Sequence, residues 1–206
     1  MNKKSNGRQM ESSRRGDILM AAAALFREKG YEATTIRDIT TAVGIASGST
    51  FCHFKSKRDI LDAVAIEGVR HVLFGAEAVS RRELPPEEQL RVLLRQHMSF
   101  LHDPPSRDFV TALLYESRSL STTGRSEVMA LMERYEAIWK SCLRRLAPVP
   151  QASVKESLLH RLLFGALNWT VHWYSPDDTL PPEALAEEIA GLLLPGMKAG
   201  VSGTAS

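Results

Sequence analysis

Residues 34–61, TTIRDITTAVGIASGSTFCHFKSKRDIL, decide how the chain folds. Ile36, Ile39 and Val43 recur at helical spacing. Thr35 stands where a cap belongs, with Asp38 three residues on to complete a reciprocal capping box. Gly44 supplies the positive φ of a sharp turn, and Ile45 drops an apolar anchor beneath it. A second short helix is predicted over about 47–53. Ser47, Gly48, Ser49 and Cys52 make its exposed side, and Phe51 and Phe54 anchor it. Two short helices joined by a tight glycine turn form a helix-turn-helix, and small polar side chains let the second helix enter a major groove closely. Lys55, Lys57 and Arg58 follow at the start of the next helix, where ammonium groups and free backbone N–H groups can both meet phosphate.

The same helical period extends outward in both directions. Ile18, Ala21, Ala22, Leu25 and Phe26 outline an amphipathic first helix that Gly30 ends as a left-handed cap. Downstream, apolar stripes run through Leu90, Leu94, Met98 and Leu101, through Val128, Met132, Tyr135 and Trp139, and through Leu158, Leu162 and Trp169. Prolines at 85–86, 104–105, 148, 150, 176 and 181–182 fall between these stripes, where they start or stop helices without breaking interiors. No sustained two-residue alternation competes with them. The fold class is therefore all-α, about nine helices: a flexible basic arm over 1–12, a three-helix head over 13–61, a helical body over 62–200 and a disordered tail over 201–206.

Charge divides the chain in the same place. Residues 1–60 carry eleven lysines and arginines against six acids, a balance of +5; the rest carries fifteen against eighteen, a balance of −3. A cationic head on a near-neutral body suits a polyanion, because neutralising phosphate releases counterions. The composition is otherwise that of a globular protein, with 44% hydrophobic and 24% charged residues. Cys52 and Cys142 stand far apart without ligand spacing, which predicts free thiols in a reducing cytoplasm. His71, His97, His102, His160 and His172 show no metal-binding pattern, so neither metal nor cofactor is expected. The basic N-terminus has no apolar segment behind it and no stretch is long enough for a membrane span, so neither secretion nor membrane insertion is predicted. GxSxG, P-loop, HExxH and GxGxxG signatures are missing, which argues against an enzyme.

GYEATTIRDI, AVGIASGSTFCHFKSK and RDIL together resemble the TetR family of transcriptional regulators, with Gly30, Thr35, Ile39, Gly44, Gly48, His53, Phe54 and Lys57 at the family's own positions. The resemblance implies phosphate contacts from Thr35, His53 and Lys57, and base-edge or nearby backbone contacts from Arg37, Ser47, Gly48, Ser49 and Cys52. Three positions depart from the pattern. Ala46 replaces a Ser or Thr cap, so that Ser47 is expected to cap one residue later. Phe51 replaces a tyrosine whose hydroxyl would reach phosphate, and is itself counted with these DNA-contacting candidates. Thr50 replaces a leucine of the head's small core.

For the body, the resemblance implies an effector pocket among the middle helices and a dimer interface on the last two. Residues 152–174 and 183–197 carry the apolar faces for that interface, including Leu158, Leu162, Leu163, Leu185, Ile189, Leu192 and Leu193, which serve an internal core equally well. Pairing two heads has its own motive, since one short helix makes few base contacts and two read half-sites about a helical turn apart. Residues 165–191 resemble a branch of the family that responds to acyl-CoA thioesters. Trp169 and Trp173, four residues apart on one predicted helical face, fit an aromatic pocket wall or a pair of interface anchors. Phe109, Leu113, Tyr115 and Trp139 complete the ligand-binding candidates. The expected partners are an operator DNA duplex, a second copy of the chain and a small hydrophobic or acyl-CoA-type effector, with no membrane.

Overall fold

A computed structural model describes the backbone of residues 3–146, 154–175 and 180–202, with side chains over 14–46, 48–146, 158–175 and 180–195. Among the described residues there are nine α-helices, two single-turn 3-10 helices and no strand. The all-α expectation therefore holds. The helices are α1 (Lys3–Lys29), α2 (Ile36–Val43), α3 (Ser47–Thr50), α4 (Lys57–Ser80) and α5 (Pro86–His102). They continue with α6 (Ser106–Glu116), α7 (Thr122–Leu146), α8 (Val154–Trp169) and α9 (Pro182–Ser202). None is long and apolar enough to cross a membrane among the described residues.

The chain forms two compact units, and their limits differ from a simple cut after residue 61. The first comprises residues 1–69 and 108–129, the second 70–107 and 130–206. Both α4 and α7 run on through these limits, because neither helix contains a proline or a left-handed residue where it changes unit. At the N-terminus, where a flexible arm was expected over 1–12, α1 begins at Lys3. The prolines at 148, 150 and 176, and residues 203–206 of the expected tail, lie outside the described residues.

In the first unit Ile18, Leu19, Ala22, Ala23 and Phe26 of α1 are buried with Ile39, Phe54, Ile60 and Leu61. Of the predicted α1 stripe, Ile18, Ala22 and Phe26 are buried and Ala21 and Leu25 are half-buried, with Leu19 and Ala23 filling the core beside them, and Gly30 ends the helix at φ 80° with its N–H on the Phe26 carbonyl at 3.0 Å. In the second unit, α5 packs most extensively against α9. Leu90, Leu94 and Leu101 on one side and Leu185, Ala186, Ala190 and Leu194 on the other are buried. Arg91 and Arg95 both pair with Glu187 at the rim of this contact. The small residues of α9 at four-residue intervals let the two helices approach.

Candidate nucleic-acid interface

The helix-turn-helix forms as its residue types dictate. Thr35, in extended backbone, accepts from the Asp38 N–H at 3.1 Å, while the Asp38 carboxylate accepts from the Thr35 N–H at 2.9 Å. These bonds to Thr35 hold the Asp38 carboxyl below its usual pKa. Gly44 adopts φ 71°, and the Ile45 N–H closes the turn on the Thr40 carbonyl at 3.0 Å. The second helix is shorter than predicted: α3 spans Ser47–Thr50 and continues as turn through residue 53. Its N-cap is Ala46, which supplies no side-chain hydrogen bond. The expected transfer of the cap to Ser47 does not occur, because Ala46 already holds the extended cap backbone and Ser47 is the first helical residue.

Thr50 and Phe54 face inward, whereas Gly48, Ser49, Phe51 and Cys52 are exposed and His53 is half-buried. Phe51, expected as an anchor, instead leaves 57% of its surface open. Four residues are little more than one helical turn, so they cannot bury both Thr50 and the side chain beside it. Arg37, Thr35 and Lys55 are exposed around this face. The next helix is capped by the Ser56 hydroxyl, which accepts from the Asp59 N–H at 3.1 Å, while the Asp59 carboxylate takes the Lys55 N–H at 3.0 Å.

Lys57 has an intramolecular task that the sequence reading did not anticipate. Its ammonium donates to the carbonyls of Tyr31 at 2.7 Å, Thr34 at 2.8 Å and Glu32 at 3.3 Å, and it lies 4.2 Å from the centre of the Tyr31 ring. Its three donors thus tie the turn between α1 and α2 to the start of α4. The same turn is held from another side by Glu116 at the end of α6, whose carboxylate accepts the Tyr31 N–H at 2.9 Å. Asp108 in the first turn of α6 accepts from Arg27 at 2.6 Å, and the Phe109 backbone lies against Gly68 of α4. Asp62 of α4 accepts both the N–H and the hydroxyl of Ser121, at 3.0 and 2.5 Å. Reading local motifs could not reveal this brace, because its partners are 23 to 85 residues apart.

The six ligand candidates divide between the two units. Phe109, Leu113 and Tyr115 belong to the first unit and the three tryptophans to the second. Trp139 is fully buried in an aromatic cluster with His97, Tyr135, Phe164 and His160. His97 joins the Tyr135 hydroxyl at 2.9 Å and Asn168 at 3.1 Å, and burial lowers its pKa to about 4. Trp169 and Trp173, by contrast, are exposed, at 62% and 59%. They do not share a helical face, because α8 ends at Trp169 and tightens into a 3-10 turn over Thr170–His172. Leu158 and Leu162 of α8 and Leu192 of α9 are exposed as well, whereas Leu163 and Leu185 are spent on the core. Cys142 is buried and its thiol is pushed up to about 11 by desolvation, while Cys52 is exposed. No group of residues suited to a metal ion occurs among the described residues.

Comparison with known proteins agrees with this geometry. Residues 18–64 match the model of bacterial regulatory proteins of the tetR family, and residues 83–197 match that of the tetracyclin repressor-like C-terminal domain. The chain is 30% identical over 193 residues to the HTH-type transcriptional repressor KstR2 of Rhodococcus jostii, covering 91% of this chain and 92% of that one. It is 26% identical over 185 residues to the fatty acid metabolism regulator protein of Bacillus subtilis, covering 87% and 93%. Among solved structures, superantigen PfiT is similar, with 38% identity, a TM-score of 0.71 and coverage of 88% and 96%. A helix-turn-helix head and a matching helical body, each recognised over its own segment, leave one conclusion: the chain belongs to the TetR family and is a transcriptional regulator, not an enzyme.

Proposed function

We propose that the protein is a repressor that binds a palindromic operator as a homodimer and leaves it when a small hydrophobic or acyl-CoA-type effector binds the body. The observation that carries this reading is the open face of residues 48–52 on a head whose turn is held from behind by Lys57 and Glu116. A rigid support with an uncovered short helix is what groove entry requires. In this reading Ser47, Gly48, Ser49, Phe51 and Cys52 lie in the groove with Arg37, and Thr35, His53 and Lys55 grip phosphate. Lys57 acts through the turn it holds.

The second copy is supported by the exposed apolar side chains of the last two helices. Leu158, Leu162 and Trp169 lie four and seven residues apart along α8, and Gly165 and Ala166 between them are also exposed. This is one helical stripe left uncovered among the described residues, and large apolar patches of that kind mark protein interfaces. In this reading Trp169, at the end of that stripe, belongs to the interface.

The effector class is supported by the relative named for fatty acid metabolism and by the aromatic interior around Trp139. Release operates through α6, since Asp108 and Glu116 at its two ends both hold the head. An effector that favours the body state in which those bonds are broken lowers the fraction of protein competent for DNA. The test is anisotropy of a labelled duplex selected from a random pool. Salt-dependent binding with two protomers per duplex, reversed by a long-chain acyl-CoA, is expected. Binding without release by acyl-CoAs, free fatty acids or steroid thioesters overturns the effector class, and failure to bind duplex DNA overturns the whole reading.

A further inference from the structure

We propose that Phe51 reads the C5 methyl group of a thymine in each operator half-site. The inference rests on the DNA-binding reading above and adds the chemistry by which bases are recognised.

Residues 45–54, IASGSTFCHF, contain no arginine, lysine, asparagine, glutamine or carboxylate. Those are the side chains that make paired hydrogen bonds to base edges in the major groove. Among the described residues of α3 and its following turn, the exposed side chains are a hydroxyl at Ser49, a thiol at Cys52 and the Phe51 ring, with Gly48 contributing bare backbone. Phe51 is by far the largest of these, and it is turned outward while its neighbours Thr50 and Phe54 are buried. An aromatic ring held in water on the face that enters the groove finds one apolar partner on the floor of that groove, the thymine methyl. Gly48 next to it lets the helix sit deep enough for the contact, since a Cβ there would meet nothing within 4 Å of its own chain. Apolar contact would therefore discriminate at this position, and exposed Arg37 on the first turn of α2 would supply the hydrogen-bonded readout.

The experiment uses the full-length protein and a duplex selected from a random pool, in which each thymine is replaced in turn by deoxyuridine. The replacement removes one methyl group and leaves every hydrogen bond in place. At one or two thymines per half-site, binding should weaken about fourfold, the value of burying one methyl group. Phe51→Ala should bind the parent duplex more weakly and no longer distinguish thymine from uracil there, and Phe51→Leu should retain part of the distinction. Uniform affinity across all uracil duplexes overturns the inference while leaving DNA binding intact. So does a methyl effect that survives in Phe51→Ala. A Phe51→Ala loss of equal size on thymine and uracil duplexes places the ring on the sugar-phosphate backbone and also overturns it. Absence of salt-dependent binding to any duplex overturns the DNA-binding reading itself.

Discussion

Thr50 carries a hydroxyl into the core of the head, fully buried and without a hydrogen-bond partner among the described residues. A buried hydroxyl that has left water without a replacement bond costs about 1–3 kcal/mol. Valine has the same shape and no such group, so Thr50→Val should stabilise the protein by about 1 kcal/mol, seen in urea unfolding as a higher midpoint at unchanged slope. Lys57 argues the opposite case, with every donor occupied. Lys57→Met keeps the stem over Tyr31 but abandons three carbonyls, and a loss of about 2 kcal/mol is expected. The salt dependence of operator binding separates this from a phosphate contact: a lost phosphate contact flattens the slope by about one unit, whereas a lost turn-holder weakens binding at unchanged slope. That Lys57 belongs to the head was legible in the motif. That it serves carbonyls was not, because the partner atoms are main-chain and carry no sequence signal.

At the level of elements, what the sequence shows well is what depends on neighbours. The Thr35–Asp38 capping box and the left-handed glycines at 30 and 44 arise within a few residues and appear as read, and the α1 stripe does so at Ile18, Ala22 and Phe26. The junctions do not. The attachment of α7 to α4 depends on Gly124, whose absent side chain leaves room for the Asp62 carboxylate that caps Ser121. Gly124 is nothing in the sequence but a glycine near the start of a helix, and helix propensity alone predicts that alanine there should stabilise by about 1 kcal/mol. Contact predicts the reverse, since the new methyl group would displace Asp62 from both of its bonds. Gly124→Ala should lower stability by roughly 1–3 kcal/mol, and Asp62→Asn alone should reproduce much of the loss by thermal unfolding. A second element-level consequence lies among α5, α7 and α8. His97 is held neutral with a pKa of about 4, against an ordinary value of 6.5. The unfolded chain therefore binds a proton between those values that the folded chain refuses. Its contribution is complete above pH 6.5 and is lost progressively as pH falls toward 4, at up to about 1.4 kcal/mol per pH unit. His97→Gln should flatten the stability profile over that window by about one proton, leaving the slope above pH 7 unchanged.

For the whole molecule, the question is which apolar surface remains once each unit has built its core. Periodicity marked the α8 and α9 residues as apolar but could not divide them, because a helix buried on two sides carries the same residue types on both. The structure makes that division: Leu163, Leu185 and Leu194 turn inward, while Leu158, Leu162, Trp169 and Leu192 stay in water. A charge placed on the outward set should leave the protomer folded and prevent pairing, whereas the same charge on the inward set would unfold it. Leu162→Glu is the sharper choice, being 64% exposed and in the middle of the stripe. Sedimentation should show the parent as a dimer and the variant as a monomer with an unchanged helical circular dichroism signal. If paired heads are what makes the operator affinity, the monomer should lose at least about tenfold in operator binding while its weak, sequence-independent binding to DNA persists, since the basic heads are intact. A variant that stays dimeric would move the interface elsewhere, and a monomer with full operator affinity would remove the need for a palindrome.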